Sequence, residues 1–395
     1  MSKIIVVSEF VSAKDNSTGY FWSSLIGKAA NEFSGTTVIS PGSLDHVENI
    51  NFVKINSIKY NKNSFFSRLF FQIFQSLQFS LKILRLARKK DTLVVGTNPS
   101  ILMFFLPVLK KILGFNWVLL VHDVIPENLV PAGVLKKESL PFKLLSKYFS
   151  FVYSSPDKLI VIGRDMKDLV IEKSHIDASK VEVIQNWVDH DDIETVSKEN
   201  NSVYQQLKIS ESDFVFTFFG NLGRVQGIAN ILEASKYITN DKIKILFIGD
   251  GYYKEKLVEF IKNSPEKNVL YYGAIAQEQK NEGLSACDVA LVTLADGMLG
   301  LGVPSKAYFS MAANKPILSV MDTHAEVSIM VAEHDIGWVC QPSKPEELAK
   351  LFDKIYLEWA ESHVSSPRKV LIDLYSEEIA LNKFIKCIKT VHGNG

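Results

Sequence analysis

The sequence is poor in cysteine, has no excess charge of either sign and contains no long uncharged apolar run. Its three cysteines, Cys287, Cys340 and Cys387, are far apart. That spacing excludes a disulfide framework and a CxxC zinc site, and it suits a reducing compartment. Lys plus Arg and Asp plus Glu are both 44, so the net charge is zero and a wholly basic nucleic-acid-binding protein is excluded. No stretch reaches the ~18–20 apolar residues of a spanning helix. The opening run, MSKIIVVSEF, meets Glu9 too early to form a signal-peptide core, so no leader is expected. What is present is a globular composition, 47% hydrophobic and 22% charged. Its 395 residues suffice for two domains of roughly 100–200 residues each.

The zero net charge hides an asymmetry. Between Glu48 and Asp91 there is no acidic residue, but nine basic ones: Lys54, Lys59, Lys62, Arg68, Lys82, Arg85, Arg88, Lys89 and Lys90. Lys110 and Lys111 follow. Within this interval, from Ser64 to Lys90, Phe66, Leu69, Phe70, Ile73, Leu77, Leu81 and Leu84 fall at helical spacing. As one helix the segment would be about 40 Å long. Two readings stand side by side. The helix is packed on a core with a solvated basic end, or it lies in a membrane interface with its cations on anionic headgroups. One face must pack on the protein in either case.

Short β-like runs alternate with stretches long enough for crossover helices. Lys3–Val7, Thr37–Ile39, Thr92–Gly96, Trp117–Val121, Lys158–Ile162 and Val181–Ile184 form one series. Phe214–Phe219, Ile243–Ile248, Val269–Tyr272, Val289–Val292, Pro316–Val320 and Gly337–Val339 form another. The pattern predicts two doubly wound α/β units with parallel sheets. Residues 1–190 make the first domain, joined by a C-terminal helix over 376–395, and residues 205–375 make the second. The polar stretch Asp189–Ser212 reads as the linker between them, and its Asp189-His190-Asp191-Asp192 run as solvated linker rather than a metal site.

Open α/β sheets bind ligands beyond the carboxyl ends of their strands. In the second series those ends are rich in glycine: Gly220-Asn221-Leu222-Gly223-Arg224-Val225-Gln226-Gly227, then Gly249-Asp250-Gly251, then Gly273, and finally Gly302-Val303-Pro304-Ser305-Lys306. Glycine lets backbone N–H groups approach a phosphate, and Arg224 and Lys306 add full positive charge. Neither GxGxxG nor the P-loop pattern occurs there. A single such glycine is a turn residue. Several at successive strand ends point to a common phosphate site.

The motifs FFGNLGRVQGI, FIGDGYYKEKL, VPSKAYFSMAANKPIL and VIQNWVD resemble the retaining family-4 glycosyltransferases of the GT-B fold. Within that family they are most similar to the WbuB/WcaI-like bacterial branch that builds surface polysaccharides such as O-antigen and capsule. GTNPS (Gly96–Ser100) and LLVHDVIPENLVPAGVL (Leu119–Leu135) are similar to that branch's strand-end loops in the first domain. The resemblance implies two Rossmann-like domains facing a central cleft, with closure about Trp187–Asp189. It implies a UDP-sugar donor carrying an N-acetylated hexosamine or deoxyhexosamine, no metal or other cofactor, and an undecaprenyl-diphosphate-linked saccharide as acceptor. It places the enzyme at the inner face of the cell membrane, held through residues 64–90, with no nucleic acid partner.

The resemblance also assigns residues. Gly220, Asn221, Gly223, Gln226, Gly249, Asp250, Gly251, Gly273, Pro304 and Ser305 fall on the donor-binding loops. Tyr308 beside them is either a ligand contact or packing. His122 falls where the family places a His against the donor sugar and the reacting centre. Asp123 and Glu127 share its loop, where they orient the acceptor or the His, or else cap a helix. The loop after the first strand, with Asp15, Asn16 and Gly19, would face the cleft. Three departures stand out. The family's Arg and Lys on the donor diphosphate fall on Asn221 and Gln226, its Glu-x7-Glu pair falls on Leu301 and Phe309, and its N-terminal Gly-Gly loop reads SAKDNSTGYFW. Lys306 and Arg224 are expected to replace the lost cations, and the residue that holds the ribose is not evident. A nucleotide-sugar epimerase of the same fold and a non-catalytic homologue acting as a partner protein are the alternative readings.

Overall fold

The computed structural model describes residues 2–14, 16–44, 47–58, 65–264, 268–362 and 364–392. The chain divides into two compact units. One comprises Met1–Asn128, Leu135–Asn186 and Glu378–Gly395, and the other Leu129–Val134 and Trp187–Glu377.

The first unit is built on seven parallel strands: β1 (Ile4–Val7), β2 (Thr36–Ser40), β3 (Ile50–Lys54), β4 (Thr92–Gly96), β5 (Asn116–Val121), β6 (Lys158–Val161) and β7 (Val181–Val183). Their order is β3-β2-β1-β4-β5-β6-β7, so the winding reverses between β1 and β4. Every residue of β1, β2 and β4 is buried, which is why these strands read as unbroken apolar or β-branched runs. β3 was not among the expected strands. It is an edge strand with only partial burial, paired Thr36↔Ile50 on β2, and INFVK carries no continuous apolar signature. Gly96 is required by packing. A Cβ there would lie 2.9 Å from the Trp22 ring of the helix Ser17–Glu32.

The basic aromatic segment forms the helix Phe65–Leu86, shorter than the expected span to Lys90. The Asp91 carboxylate accepts from the N–H groups of Arg88 (2.8 Å) and Lys3 (3.0 Å), and Lys90 sits at φ +77°. The chain therefore turns after Leu86, and Arg88, Lys89 and Lys90 lie in a turn beyond the helix. One face of the helix is buried, through Phe71, Gln75, Ser76, Phe79 and Ile83. The other face exposes Phe66, Phe70, Ile73, Leu77, Leu81 and Leu84 in a single stripe. Lys59 and Lys62 lie outside the described residues, as does the side chain of Arg68.

The second unit has six parallel strands: β8 (Phe214–Phe219), β9 (Ile243–Ile248), β10 (Val269–Gly273), β11 (Val289–Thr293), β12 (Ile317–Val320) and β13 (Gly337–Cys340). Their order, β10-β9-β8-β11-β12-β13, reverses between β8 and β11. The FVFTFF strand shows the pleat directly. Phe214, Phe216 and Phe218 join one core with Phe247, Leu291 and Phe352, while Val215 joins a second with Val203, Tyr204 and Leu246.

The stretch 189–212 is not a free linker. It contains the helix Ser202–Leu207, whose Val203 and Tyr204 are buried. Lys198 pairs with Asp288 at 2.7 Å, and Arg368 donates to the carbonyls of His190 and Ile193 at 2.8 Å each. Those bonds tie the polar segment to the second unit, a tertiary cost-benefit that its composition does not display. The final helix, Glu377–His392, belongs to the first unit from Glu378 onward. There Asn116 donates to the Val391 carbonyl at 3.0 Å, and His392 bonds Thr92 Oγ1 at 2.9 Å. Among the described residues no helix is long and apolar enough to cross a membrane.

Candidate functional site

The strand reversal between β8 and β11 sends their following loops in opposite directions and opens a crevice at the strand ends. Two of the glycines there are set by close backbone approach. Gly249 has φ +138°, and a Cβ on it would lie 1.9 Å from the Gly220 carbonyl oxygen. Gly251 has φ +152°, and a Cβ would meet Asn221 Oδ1 at 2.5 Å and the Leu222 backbone at 2.8 Å. Backbone bonds lock the layers. Gly220 N–H donates to Ile248 O (2.9 Å), Leu222 N–H to Asp250 O (2.9 Å) and Gly249 N–H to Gly273 O (2.7 Å). Gly220, Asn221, Gly223, Gly249, Gly251 and Gly273 thus form one continuous rim.

Lys306 enters this rim from the far side of the crevice. It begins the helix Lys306–Ala312, after Pro304 and Ser305, in the connection from β11 to β12. Its Nζ donates to Gln226 Oε1 at 2.6 Å and lies 3.6 Å from the centroid of the Phe218 ring. Its Cε would lie 3.9 Å from a Cβ on Gly220. Burial against these groups pushes the ammonium down to about 7 from its ordinary value near 10.5. An anion arriving at the rim would restore the charged form.

Arg224 stands at the edge of the rim. Its guanidinium lies 3.5 Å from the centroid of the Tyr252 ring, on the exposed surface next to the rim. Asp250 is exposed. The Gly251 N–H, and then Lys254 at 3.1 Å, hold its carboxyl below the usual range. Tyr308 is fully buried with its ring on Tyr375 (5.9 Å), so it is core packing and not a rim contact. At the two positions where the family carries glutamates, Leu301 is buried and Phe309 lies beneath Lys280, whose Nζ is 4.5 Å from its centroid. Tyr252 and Lys280 escaped the sequence reading. Tyr252 directly follows Gly251 and Lys280 lies seven residues past Gly273, so proximity was the available signal, while the partner of each ring or cation is set by the fold.

In the first unit, His122 follows β5. Its backbone N–H donates to Thr97 Oγ1 at 3.2 Å, and its ring stacks on Phe21 with centroids 6.5 Å apart. Burial pushes the imidazole down to about 4, so it is neutral at pH 7. Its Nε2 is buried without a hydrogen-bond partner among the described residues. Asp123 is exposed beside it. Glu127 is already committed. It forms an ion pair with Lys173 and accepts from Ser146 Oγ at 2.9 Å. Lys173 also donates to the Ile125 carbonyl at 3.0 Å. Glu127 therefore staples its loop to neighbouring helices and neither caps a helix nor stands free for an acceptor. Asn16 caps the helix Ser17–Glu32, accepting from Gly19 N–H at 2.8 Å, and Gly19 is buried in that helix's first turn. The expected loop through Gly19 accordingly ends at Asn16, and Asp15 lies outside the described residues. A carboxylate that sequence reasoning passed over, Glu9, sits just beyond β1, raised by burial and hydrogen-bonded to Asn98 beyond β4. Its position after the first strand was the available signal.

Residues 200–368 match the family model for glycosyl transferases group 1, and residues 35–192 match that for glycosyltransferase family 4. The chain is 46% identical over 394 residues, 98% of each chain, to a probable glycosyltransferase, WbjE, of Pseudomonas aeruginosa. This chain belongs to glycosyltransferase family 4. A putative colanic acid biosynthesis glycosyl transferase, WcaI, of Escherichia coli K12 is 21% identical over 76% of this chain and 75% of its own. Among solved structures, Anabaena Alr3699/HepE in complex with UDP-glucose superposes with a TM-score of 0.72 at 14% identity, covering 99% of this chain and all of that one. The two Rossmann-like sheets are those of the GT-B fold, and the chain is a glycosyltransferase.

Proposed function

We propose that this glycosyltransferase transfers a sugar, with retention of anomeric configuration, from a UDP-sugar to an undecaprenyl-diphosphate-linked saccharide during O-antigen or capsule synthesis. The transferred group is an N-acetylated hexosamine or deoxyhexosamine. The observation that carries the reading is the Lys306 ammonium held at the β8/β11 strand reversal, against a glycine rim whose backbone can approach a diphosphate. HepE, of the same fold, was crystallised with UDP-glucose, which supports the donor class.

In the transfer step the bond from the anomeric carbon to the β-phosphate oxygen breaks. The acceptor hydroxyl oxygen bonds to that carbon from the same face, and its proton passes to the departing phosphate oxygen. No protein base is then needed. Lys306, beside the glycine rim, stabilises the charge that develops on the phosphate, and the reading calls for no metal. Removing one such preorganised donor costs about 10²–10³ in turnover. His122, being neutral, contributes hydrogen bonding rather than charge.

The exposed stripe of the helix Phe65–Leu86, with Arg85, Arg88, Lys89 and Lys90 exposed near its end, docks the enzyme on the inner leaflet where a lipid-linked acceptor resides. Three measurements test the reading. Lys306→Ala should lower UDP affinity and turnover at least tenfold, and near-normal kinetics would remove Lys306 from the site. Proton NMR of the product should show the donor's anomeric configuration, and inversion would overturn the retaining step. Activity lost on chelation and restored by manganese would overturn the metal-free step.

A further inference from the structure

We infer that Gln226 is a positioning residue for the donor-site cation: the loops after β8 and β11 converge on one ammonium position, and Gln226 holds Lys306 there without neutralising it. The inference rests on the diphosphate reading given above.

Gln226 is itself fixed from several directions. Its carbonyl accepts from Thr293 Oγ1 at the end of β11 (2.8 Å). The next residue, Gly227, has φ +64°, and a Cβ there would lie 2.8 Å from Thr293 Oγ1 and 3.0 Å from the Leu294 carbonyl. Val225 O accepts from Ala295 N–H at 2.8 Å, a second tie between the same two loops. The Gln226 Cγ would be 3.5 Å from a Cβ on Gly223. The side chain therefore leaves its backbone from a clamped origin.

Lys306 has three N–H groups. One goes to Gln226, and the Phe218 ring covers part of the ammonium. No other hydrogen bond or ion pair of the Lys306 ammonium is found among the described residues, so its remaining donors are available to an anion. The acceptor at this point is an amide, not a carboxylate. A glutamate at 226 would keep the reach and the oxygen, but its charge would cancel the cation that a phosphate needs. The chain here carries Gln at 226 and Lys at 306, and their reactive atoms are only 2.6 Å apart. Exchanging the two residue types should therefore return an ammonium to nearly the same place from the opposite loop.

The experiment measures UDP and uridine binding by calorimetry on the full chain, with thermal unfolding as a folding control. Four variants are compared with the natural protein: Lys306→Gln, Gln226→Leu, Gln226→Glu and the exchange Gln226→Lys/Lys306→Gln. A hydrogen bond to a charged group is worth about a factor of ten in affinity. Lys306→Gln should bind UDP at least tenfold more weakly. Gln226→Leu and Gln226→Glu should each lose about tenfold for UDP, while uridine binding stays within about threefold in all four. The exchange should recover most of what Lys306→Gln loses. If Lys306→Gln binds UDP normally, the diphosphate reading itself fails. If Lys306→Gln is impaired but both Gln226 single variants bind like the natural protein, the diphosphate reading stands and the positioning role of Gln226 is overturned.

Discussion

Replacing Phe66 and Phe70 with serine should detach the protein from anionic membranes without unfolding it. These two side chains are 80% and 65% exposed, the largest apolar exposures among the described side chains of the helix Phe65–Leu86. Fully burying an aromatic or aliphatic side chain is worth roughly 2 kcal/mol. The exposed fractions of the six stripe residues amount to about three full side chains, so the stripe offers roughly 6 kcal/mol to a leaflet. Phe66 and Phe70 supply close to half of this, about 3 kcal/mol, or on the order of 100-fold in partitioning. The cations Arg85, Arg88, Lys89 and Lys90 add about 1 kcal/mol each at an anionic surface, and this part alone is screened by salt. The assay is co-sedimentation with vesicles containing phosphatidylglycerol, at low and high salt, with thermal unfolding in parallel. The double variant should remain in the supernatant and unfold at nearly the natural temperature, because neither side chain supports the core. Neutralising the four cations should remove the salt-dependent part of binding only. If the double serine variant sediments like the natural protein, the stripe does not enter the leaflet and the docking proposal fails.

Four further outcomes follow from particular contacts. Gly249→Ala should destabilise the second unit by roughly 2–4 kcal/mol in denaturant titration, because its Cβ would sit 1.9 Å from the Gly220 carbonyl at a φ of +138°; an unchanged midpoint would refute that packing. UDP binding should weaken as pH rises from 7 to 9, since Lys306 is pushed down to about 7 when free and must be protonated to hold a phosphate; calorimetry in buffers of different ionisation enthalpy should show proton uptake near pH 7, and none would contradict it. The same lowered value means that the unfolded chain binds more protons between about 7 and 10.5, so this lysine's contribution makes the unliganded protein more stable as pH rises through that window. Glu127→Gln should cost roughly 3 kcal/mol of stability in chemical denaturation, because it leaves the Lys173 ammonium enclosed without its counter-charge, yet UDP affinity should not change.

Much of the architecture is written in local patterns. Central parallel strands are buried on both faces and read as continuous apolar runs, and the edge strands β7, β10 and β13 keep enough β-branched or aromatic residues to be read as strands; the edge strand β3 escapes because INFVK is only partly buried and interrupts its apolar residues with Asn51 and Lys54. The glycines at 249 and 251 mark the rim because no other residue tolerates both their φ and their close neighbours, and Gly220 because of its φ of +136°. Side-chain commitments are less visible. Glu127 sits in a loop beside His122 and looks available, but Lys173, 46 residues later, claims it. Tyr308, two residues past Lys306, points the other way into the core, as the helical turn between them requires. Asn16 and Gly19 look like loop and prove to be cap and first turn.

By itself the sequence determined the alternation of strand and helix, the glycine rim, the cation at 306 and the family resemblance, because each is a matter of residue type at short spacing. Only the tertiary structure decided which partner each polar group keeps: Gln226 for Lys306, Tyr252 for Arg224, Lys173 for Glu127. It also decided which stripe of the basic helix is left outside. Such pairings join residues that the chain order separates, and they are chosen by strand order and helix docking, which no local pattern encodes.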